Sequence, residues 1–230
     1  MSRKLWLPLG AVVLVVNAVQ WVVAEAITAA AWTDPPYSYA RNYISDLGVP
    51  GCGVQMQGRE LCSPDHVLMS TSFLVEGILF AIGVLLLSAR LVTGRARGVF
   101  IALAVAHGTG MVLVGLFHGS PDGPGYGLAV HFAGAGVGIL CANTVAILAG
   151  ALRGLGLPPA YRVFSVTVGV LGLVSVALVG VSVSTAGAFE RGSVYSWLLW
   201  SVVTGALVLA GAGRGSRYSR RPSVVENVSA

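Results

Sequence analysis

The segment RNYISDLG, residues 41–48, contains four of the chain's candidate site residues: Arg41, Asn42, Ser45 and Asp46. All four are candidates for binding a ligand. Ser45 and Asp46 also supply the hydroxyl and the carboxylate that a Ser/His/Asp-type or metal-assisted hydrolase requires. A Ser-Asp pair before Leu-Gly is equally an ordinary turn or helix cap. Both interpretations stay open at this point.

A second polar segment, GLFHGSPDGPGYGLAVH at residues 115–131, contains a candidate metal site. His118 and Asp122 flank a Gly- and Pro-rich turn, and His131 lies about one turn into the next apolar run. Zinc binds histidine nitrogen and carboxylate oxygen, so these three residues are candidate zinc ligands and candidate catalytic residues. Their spacing matches no fixed metal motif such as HExxH. The alternative is that Asp122 caps a turn and the histidines lie at the membrane interface.

Glu76 and His107 are ionisable residues within apolar runs, which makes them functional candidates by default. His66 is a further binding candidate. Glu76 lies roughly 15 Å from it along the helix axis. His107 and His118 are separated by roughly 16 Å along the helix axis, at the same rise per residue. The two residues should therefore lie at similar depth and pair if their helices face each other. Such a pair is either a structural contact or part of a proton relay or a ligand site.

Composition indicates a membrane protein. The chain has 230 residues, of which 55% are hydrophobic and only 10% are charged, whereas soluble domains carry about 25% charged residues. The net charge is +5, but the basic residues form short clusters between apolar runs rather than one continuous footprint. We therefore predict membrane lipid as a partner and exclude nucleic acid.

Six apolar runs approach the roughly 20 residues that cross a bilayer. Because backbone groups in lipid must pair within the chain, these runs predict an all-α bundle of six transmembrane helices. The predicted helices are 5–28, 68–89, 99–117, 128–152, 163–188 and 194–212, in a single membrane domain, 1–212. Residues 213–230 are Arg- and Ser-rich and predict a disordered basic tail. A small-residue stripe at Gly134, Gly138 and Ala142 predicts close helix packing.

The distribution of basic residues predicts the orientation. With a cytoplasmic N-terminus, eleven basic residues fall in inner segments and only Arg41, Arg59 and Arg191 in outer ones. This bias predicts cytoplasmic N- and C-termini. The first run resembles a signal peptide with a small-x-small site at residues 24–26. Its apolar region exceeds the usual length of about 7–15 residues, so we expect a retained helix.

The first outer loop, 29–67, contains Cys52 and Cys62 on the oxidising side of the membrane. We predict that they form a disulfide. The alternative, a metal site with thiolate ligands, needs more ligands than two cysteines, and only His66 is near.

Several of these elements resemble a known family. They are RNYISDLG with Ile44–Gly48 as its most specific part, Cys62-Ser63-Pro64 before His66, and GLFHGSPDG before His131 and Asn143. Together they resemble the prokaryotic six-helix membrane proteins catalogued as domain of unknown function 998, over residues 5–212. In that family's second outer loop a proline stands where this chain has His118. The resemblance implies a bacterial multi-pass membrane protein and implies no activity.

Three functions are compatible with these residues. The leading hypothesis is a plasma-membrane protein whose outward-facing polar site binds or senses a lipid or other amphiphile. The second is a hydrolase of a lipid-like substrate, with zinc as its candidate cofactor. The third is a small proton-coupled transporter that uses Glu76 and His107.

Overall fold

A computed structural model describes residues 5–121, 125–152 and 157–218, with side chains described as far as Gly211. In this part of the chain, six helices are long and apolar enough to cross a membrane, with α6 counted over Ala186–Gly211. They are α1 (Trp6–Ala31), α2 (His66–Leu91), α3 (Gly94–Leu116), α4 (Gly127–Ala151), α5 (Pro159–Leu178) and α6 (Ala186–Tyr218). The predicted six-helix membrane fold is confirmed.

The predicted boundary between the last two helices was wrong. Helix α5 ends at Leu178 rather than at residue 188, and α6 begins at Ala186 rather than at residue 194. The intervening turn contains Val179, Val181 and Val183, so its hydropathy resembles that of a helix. As a result, Glu190 and Arg191 lie in α6 and not in a loop. Helix α6 also continues to Tyr218, beyond its predicted end, and residues 219–230 lie outside the described part.

The six helices form a closed ring in which each helix packs against its neighbours in sequence, and α6 returns to pack against α1. Residues 32–65 cover one end of this ring, which we call the loop end. The opposite end, where the connections from α2 to α3 and from α4 to α5 lie, is the far end. The predicted cytoplasmic location of the far end stays a prediction.

Glycines allow close approach at every seam of the ring. A Cβ atom on Gly77 of α2 would lie 2.6 Å from the carbonyl oxygen of Gly108 on α3, so no larger residue fits without displacement. Gly134, from the predicted stripe on α4, meets Gly110 of α3 in the same way. Equivalent close glycines at the other four seams are Gly10 on α1, Gly169 on α5, and Gly192 and Gly205 on α6.

The loop end is covered by a short 3-10 turn and a β-hairpin. The turn is Ser45–Gly48. Leu47 within it and Ile44 directly before it both have buried side chains in the bundle. The antiparallel strands β1 (Cys52–Met56) and β2 (Arg59–Cys62) are joined by Gln57 and Gly58, which both have positive φ, as two-residue hairpin turns require. The predicted disulfide between Cys52 and Cys62 is present and closes this hairpin.

The α2–α3 seam gives a test of the ring. Gly77→Ala should destabilise the protein by about 1–3 kcal/mol because the added methyl group overpacks the contact with Gly108. Gly136→Ala on α4 is the matched control, since a Cβ there meets no atom within 4 Å. Thermal unfolding in detergent measures both. Equal midpoints for the two variants would contradict the close seam.

Candidate functional site

The buried cation Arg191 joins the first helix to the last. Its Nε donates to Oε1 of Glu25 at 2.9 Å, and the hydroxyl of Tyr195 donates to the other carboxylate oxygen at 3.0 Å. Glu25 is 1% exposed and Arg191 is 6% exposed. Since an unpaired charge at this depth is strongly unfavourable, each residue requires the other.

The same guanidinium also holds the loop onto the bundle. Its Nη1 donates to the carbonyl oxygens of Tyr39 at 2.6 Å and Asn42 at 2.8 Å, and its Nη2 donates to the hydroxyl of Tyr37. Burial raises the pKa of Tyr37 above its ordinary value, so the phenol stays protonated. Tyr37 then donates to the carbonyl of Tyr43 at 2.9 Å. Arg191 therefore fixes the segment that leads into the 3-10 turn.

Asp46, a predicted catalytic candidate, is bound within the loop itself. Arg59 from β2 reaches both of its carboxylate oxygens, with Nε at 3.0 Å and Nη2 at 3.3 Å, and stacks over the ring of Tyr43. The backbone N–H of Tyr43 donates to the same carboxylate at 2.9 Å. Burial raises the pKa of Asp46, and the hydrogen bonds and charge of Arg59 oppose that rise. Asp46 therefore joins strand β2 to the backbone that leads into the 3-10 turn.

Ser45 also has an internal partner. The carboxylate of Glu190 on α6 accepts hydrogen bonds from the backbone N–H of Ile44 and from the Ser45 side chain. These residues border a cavity of about 30 Å³ whose other walls are mainly apolar and include Trp197. That volume admits a water molecule but not a lipid. Ser45 therefore anchors the 3-10 turn to α6.

Two of the three predicted zinc ligands, His118 and His131, lie within the described residues. His131 is 2% exposed, and its Nδ1 donates to the carbonyl of Phe117 at 2.6 Å, at the end of α3. His118 lies beyond α3, which ends at Leu116, and is half-buried. Asp122, the third predicted ligand, lies outside the described residues. Within the described ranges, no group of three His, Cys, Asp or Glu residues is placed to hold a metal ion.

A polar cluster lies inside the ring, formed by Asn17, Glu76, His107 and Trp197. Nε2 of His107 lies 2.9 Å from Oε2 of Glu76, and all four side chains are completely buried. The Glu76 carboxylate also accepts hydrogen bonds from Asn17 Nδ2 and Trp197 Nε1, each at 3.2 Å. The pairing expected from equal depth is present, and it joins α1, α2, α3 and α6.

The geometry of His107 determines its tautomer. Nδ1 lies 2.8 Å from the carbonyl oxygen of Gly138, which can only accept, so Nδ1 carries a hydrogen. Nε2 faces Glu76, and one proton is shared between these two groups. It lies either on the imidazole, giving an ion pair, or on the carboxyl, giving a neutral pair. Transfer of this proton between the two groups leaves the net charge of the cluster unchanged.

The ring contains an apolar chamber at its far end. Its volume is about 380 Å³, within the range of roughly 300–1,000 Å³ that is typical of ligand pockets. Residues of α2 to α6 line it, among them Leu87, Leu91, Phe100, Ala149 and Trp200. Leu207, Ala210 and Gly211 of α6 also border it and are exposed, so the chamber is open to the surroundings.

The few polar groups beside the chamber bind one another. The hydroxyl of Tyr161 lies 2.8 Å from Oγ1 of Thr204, and the indole of Trp200 donates to Ser165 at 2.8 Å. Ser165 in turn donates to the carbonyl of Ala146 at 2.6 Å. With these donors satisfied, the chamber presents an apolar surface to an incoming molecule.

Comparison with known proteins identifies the family. The family model described as "Protein of unknown function (DUF998)" matches residues 14–220. The chain belongs to this family. No curated protein matches the chain, and no solved structure matches it either. The match covers α2 to α6 in full, most of α1, and the loop end of this DUF998 protein.

The remaining predicted binding residues do not converge on one open site in this DUF998 protein. Arg41 is exposed at the loop end. Asn42 is buried, and its side-chain oxygen accepts from the backbone N–H of Ser38 at 3.0 Å. His66 is the first residue of α2, where Nδ1 donates to the carbonyl of Ser63 at 3.2 Å.

Sequence reasoning missed several partners. Asn17 and Trp197 bind Glu76, but they are far from it in sequence, and their positions do not indicate which helices face each other. Arg59 follows the turn residues Gln57 and Gly58, and this two-residue spacing between short strands would have indicated the hairpin. Arg191 could have been found as the only basic residue between positions 162 and 214, with Glu25 at a similar depth.

The junction at Arg191 gives a stability prediction. Arg191→Gln leaves the Glu25 carboxylate buried without its cation, which should destabilise the protein by about 3–5 kcal/mol. Hydrogen exchange should rise first in residues 37–42, because this part of the loop loses its hydrogen bonds to Arg191. Arg41→Gln, an exposed arginine in the same loop, is the control. Unchanged exchange in the Arg191 variant would contradict the role of this junction.

Proposed function

We propose that this protein binds an amphiphile whose apolar chain enters the chamber at the far end of the helix ring. The chamber itself is the observation that carries the proposal. It has ligand size, its walls are apolar, and its neighbouring polar groups already have partners. Such a cavity favours hydrocarbon over water, because water there would find few partners.

This proposal keeps the predicted ligand class but changes the location of the site. An outward-facing polar site at the loop end would need free polar groups. Ser45, Asp46 and His131 instead bind Glu190, Arg59 and the Phe117 carbonyl. These contacts favour a structural role for the loop end and direct attention to the far end.

We also propose a plasma-membrane location with both termini in the cytoplasm. Eleven of the 14 basic residues lie in the segments predicted to be cytoplasmic, and this excess is typical of the inner side of a membrane. In this orientation the chamber opens towards the cytoplasmic leaflet, and a lipid of that leaflet is its nearest occupant.

Filling the chamber tests the proposal. Ala149→Phe places a ring in the chamber and should lower the amount of lipid that stays bound through detergent purification several-fold, as measured by mass spectrometry of the extracted lipids. Ala133→Phe is the matched control on the same helix, since Ala133 is exposed and does not line the chamber. Equal lipid retention in the two folded variants would refute chamber binding.

The polar cluster supports a second candidate, a proton-coupled transporter. Glu76 and His107 share one proton in the middle of the ring, and Trp197 connects them to the small cavity beside Ser45 and Glu190. Polar groups thus extend from the loop end to the centre of the bundle. A proton relay requires such a series of groups.

Proton uptake into liposomes distinguishes this second candidate. Under an imposed membrane potential, the native protein should acidify the lumen, as reported by a pH-sensitive dye. Glu76→Gln should abolish this uptake because the amide cannot carry the shared proton. Glu60→Gln, which changes an exposed carboxylate on the hairpin, should leave uptake unchanged. The relay is disproved by a native protein without uptake, or by full uptake in the Glu76 variant.

The hydrolase hypothesis stays a prediction. Its candidates Ser45, Asp46 and His131 each have a structural partner within the described residues, and Asp122 lies outside them.

A further inference from the structure

The far end of the bundle is uniformly basic. The connections at this end, residues 90–98 and 152–162, contain five arginines and neither Asp nor Glu. Four of these arginines lie within the described residues: Arg90, Arg95, Arg97 and Arg162. Arg90, Arg95 and Arg97 are exposed, and Arg162 is half-buried. No ion pair is found for these four side chains among the described residues.

Two of the four arginines lie close to residues that line the chamber. Arg97 precedes the lining residue Phe100 by three positions, which places it on the same face of α3, one turn closer to the helix end. Arg162 of α5 is bound to the carbonyl of Gly150, the residue that follows the lining residue Ala149 on α4. Two separate helices therefore bring a cation close to one apolar cavity.

Arg162 is held in place beside this cavity. Its Nε donates to the carbonyl of Gly150 at 2.9 Å and its Nη2 to that of Ala151 at 3.3 Å, both at the end of α4. Ala149, the residue before them, lines the chamber. The guanidinium is thus fixed next to the cavity rather than free in solvent.

We propose that the occupant of the chamber is an anionic phospholipid, whose acyl chain fills the cavity and whose phosphate is bound by Arg97 and Arg162. This inference rests on the proposed function, because it names the head group for the same chamber. Guanidinium groups match phosphate oxygens in charge and geometry. The head group of a zwitterionic phospholipid carries a cationic group that these arginines repel. The head group of an anionic phospholipid has no such cation.

Arginines at this end also contribute to the orientation of the protein in the membrane, so the test must separate the two roles. Arg95 provides that separation. It carries the same charge as Arg97 at the start of α3 and is exposed, but it precedes Phe100 by five positions, which places it on a different face of the helix from Phe100. Orientation depends on the number of basic residues, whereas head-group binding depends on which arginines lie close to the chamber.

The experiment is native mass spectrometry of the full chain in detergent with an equimolar mixture of phosphatidylglycerol and phosphatidylcholine that have identical acyl chains. The native protein should bind phosphatidylglycerol in preference to phosphatidylcholine. Arg97→Gln should lower this preference by about fivefold, the factor that corresponds to one basic residue near a lipid phosphate. Arg95→Gln should leave it unchanged.

The outcomes separate this inference from the proposed function. If both lipids bind equally and Ala149→Phe removes both, the chamber binds lipid and the head-group inference is wrong. If Ala149→Phe removes neither, lipid binds elsewhere and the proposed function fails with it. A preference that falls equally in the Arg95 and Arg97 variants would indicate general surface attraction and would also overturn the inference. Arg97→Lys should retain part of the preference, which distinguishes a lost charge from a damaged fold.

Discussion

The buried ion pair between Arg191 and Glu25 is the contact on which the closed ring depends. It joins the last helix to the first, and the remaining donors of the same guanidinium hold the loop over one end. Lipid offers no substitute partner for either charge, so the two helices and the loop must come together as a unit. The other buried polar groups follow the same rule, because Glu76 is bound by donors from three different helices.

The two ends of the ring have opposite characters. At the loop end, Ile44 and Leu47 fill the space between the helices, and Asp46, Ser45 and Glu190 form hydrogen bonds that fix the cover. At the far end, the helices surround an open apolar cavity, and the connections between them are basic. Rigid closure on one side and an accessible chamber on the other favour a binding protein that a ligand enters from one direction.

The sequence was sufficient for the fold but not for the site. Run length and hydropathy predicted all six helices, since a membrane helix must be apolar along its whole span. The same criterion failed at Val179, Val181 and Val183, because an apolar turn has the hydropathy of a helix. Equal depth predicted that Glu76 meets His107, but not that Asn17 and Trp197 join them, because depth does not determine which helices face each other. The chamber was not predictable, since a cavity is formed by residues that are individually ordinary.

The order of helices around the ring has a consequence for biogenesis. Because each helix packs against the one before it, five of the six seams can form while the chain is still being synthesised. The sixth seam forms only after α6 has entered the bilayer. Until then Glu25 lacks its cation and Glu76 lacks the indole of Trp197. A nascent chain that has inserted five helices therefore carries two incompletely satisfied carboxyl groups in the membrane, which are the features that a membrane quality-control protease could recognise.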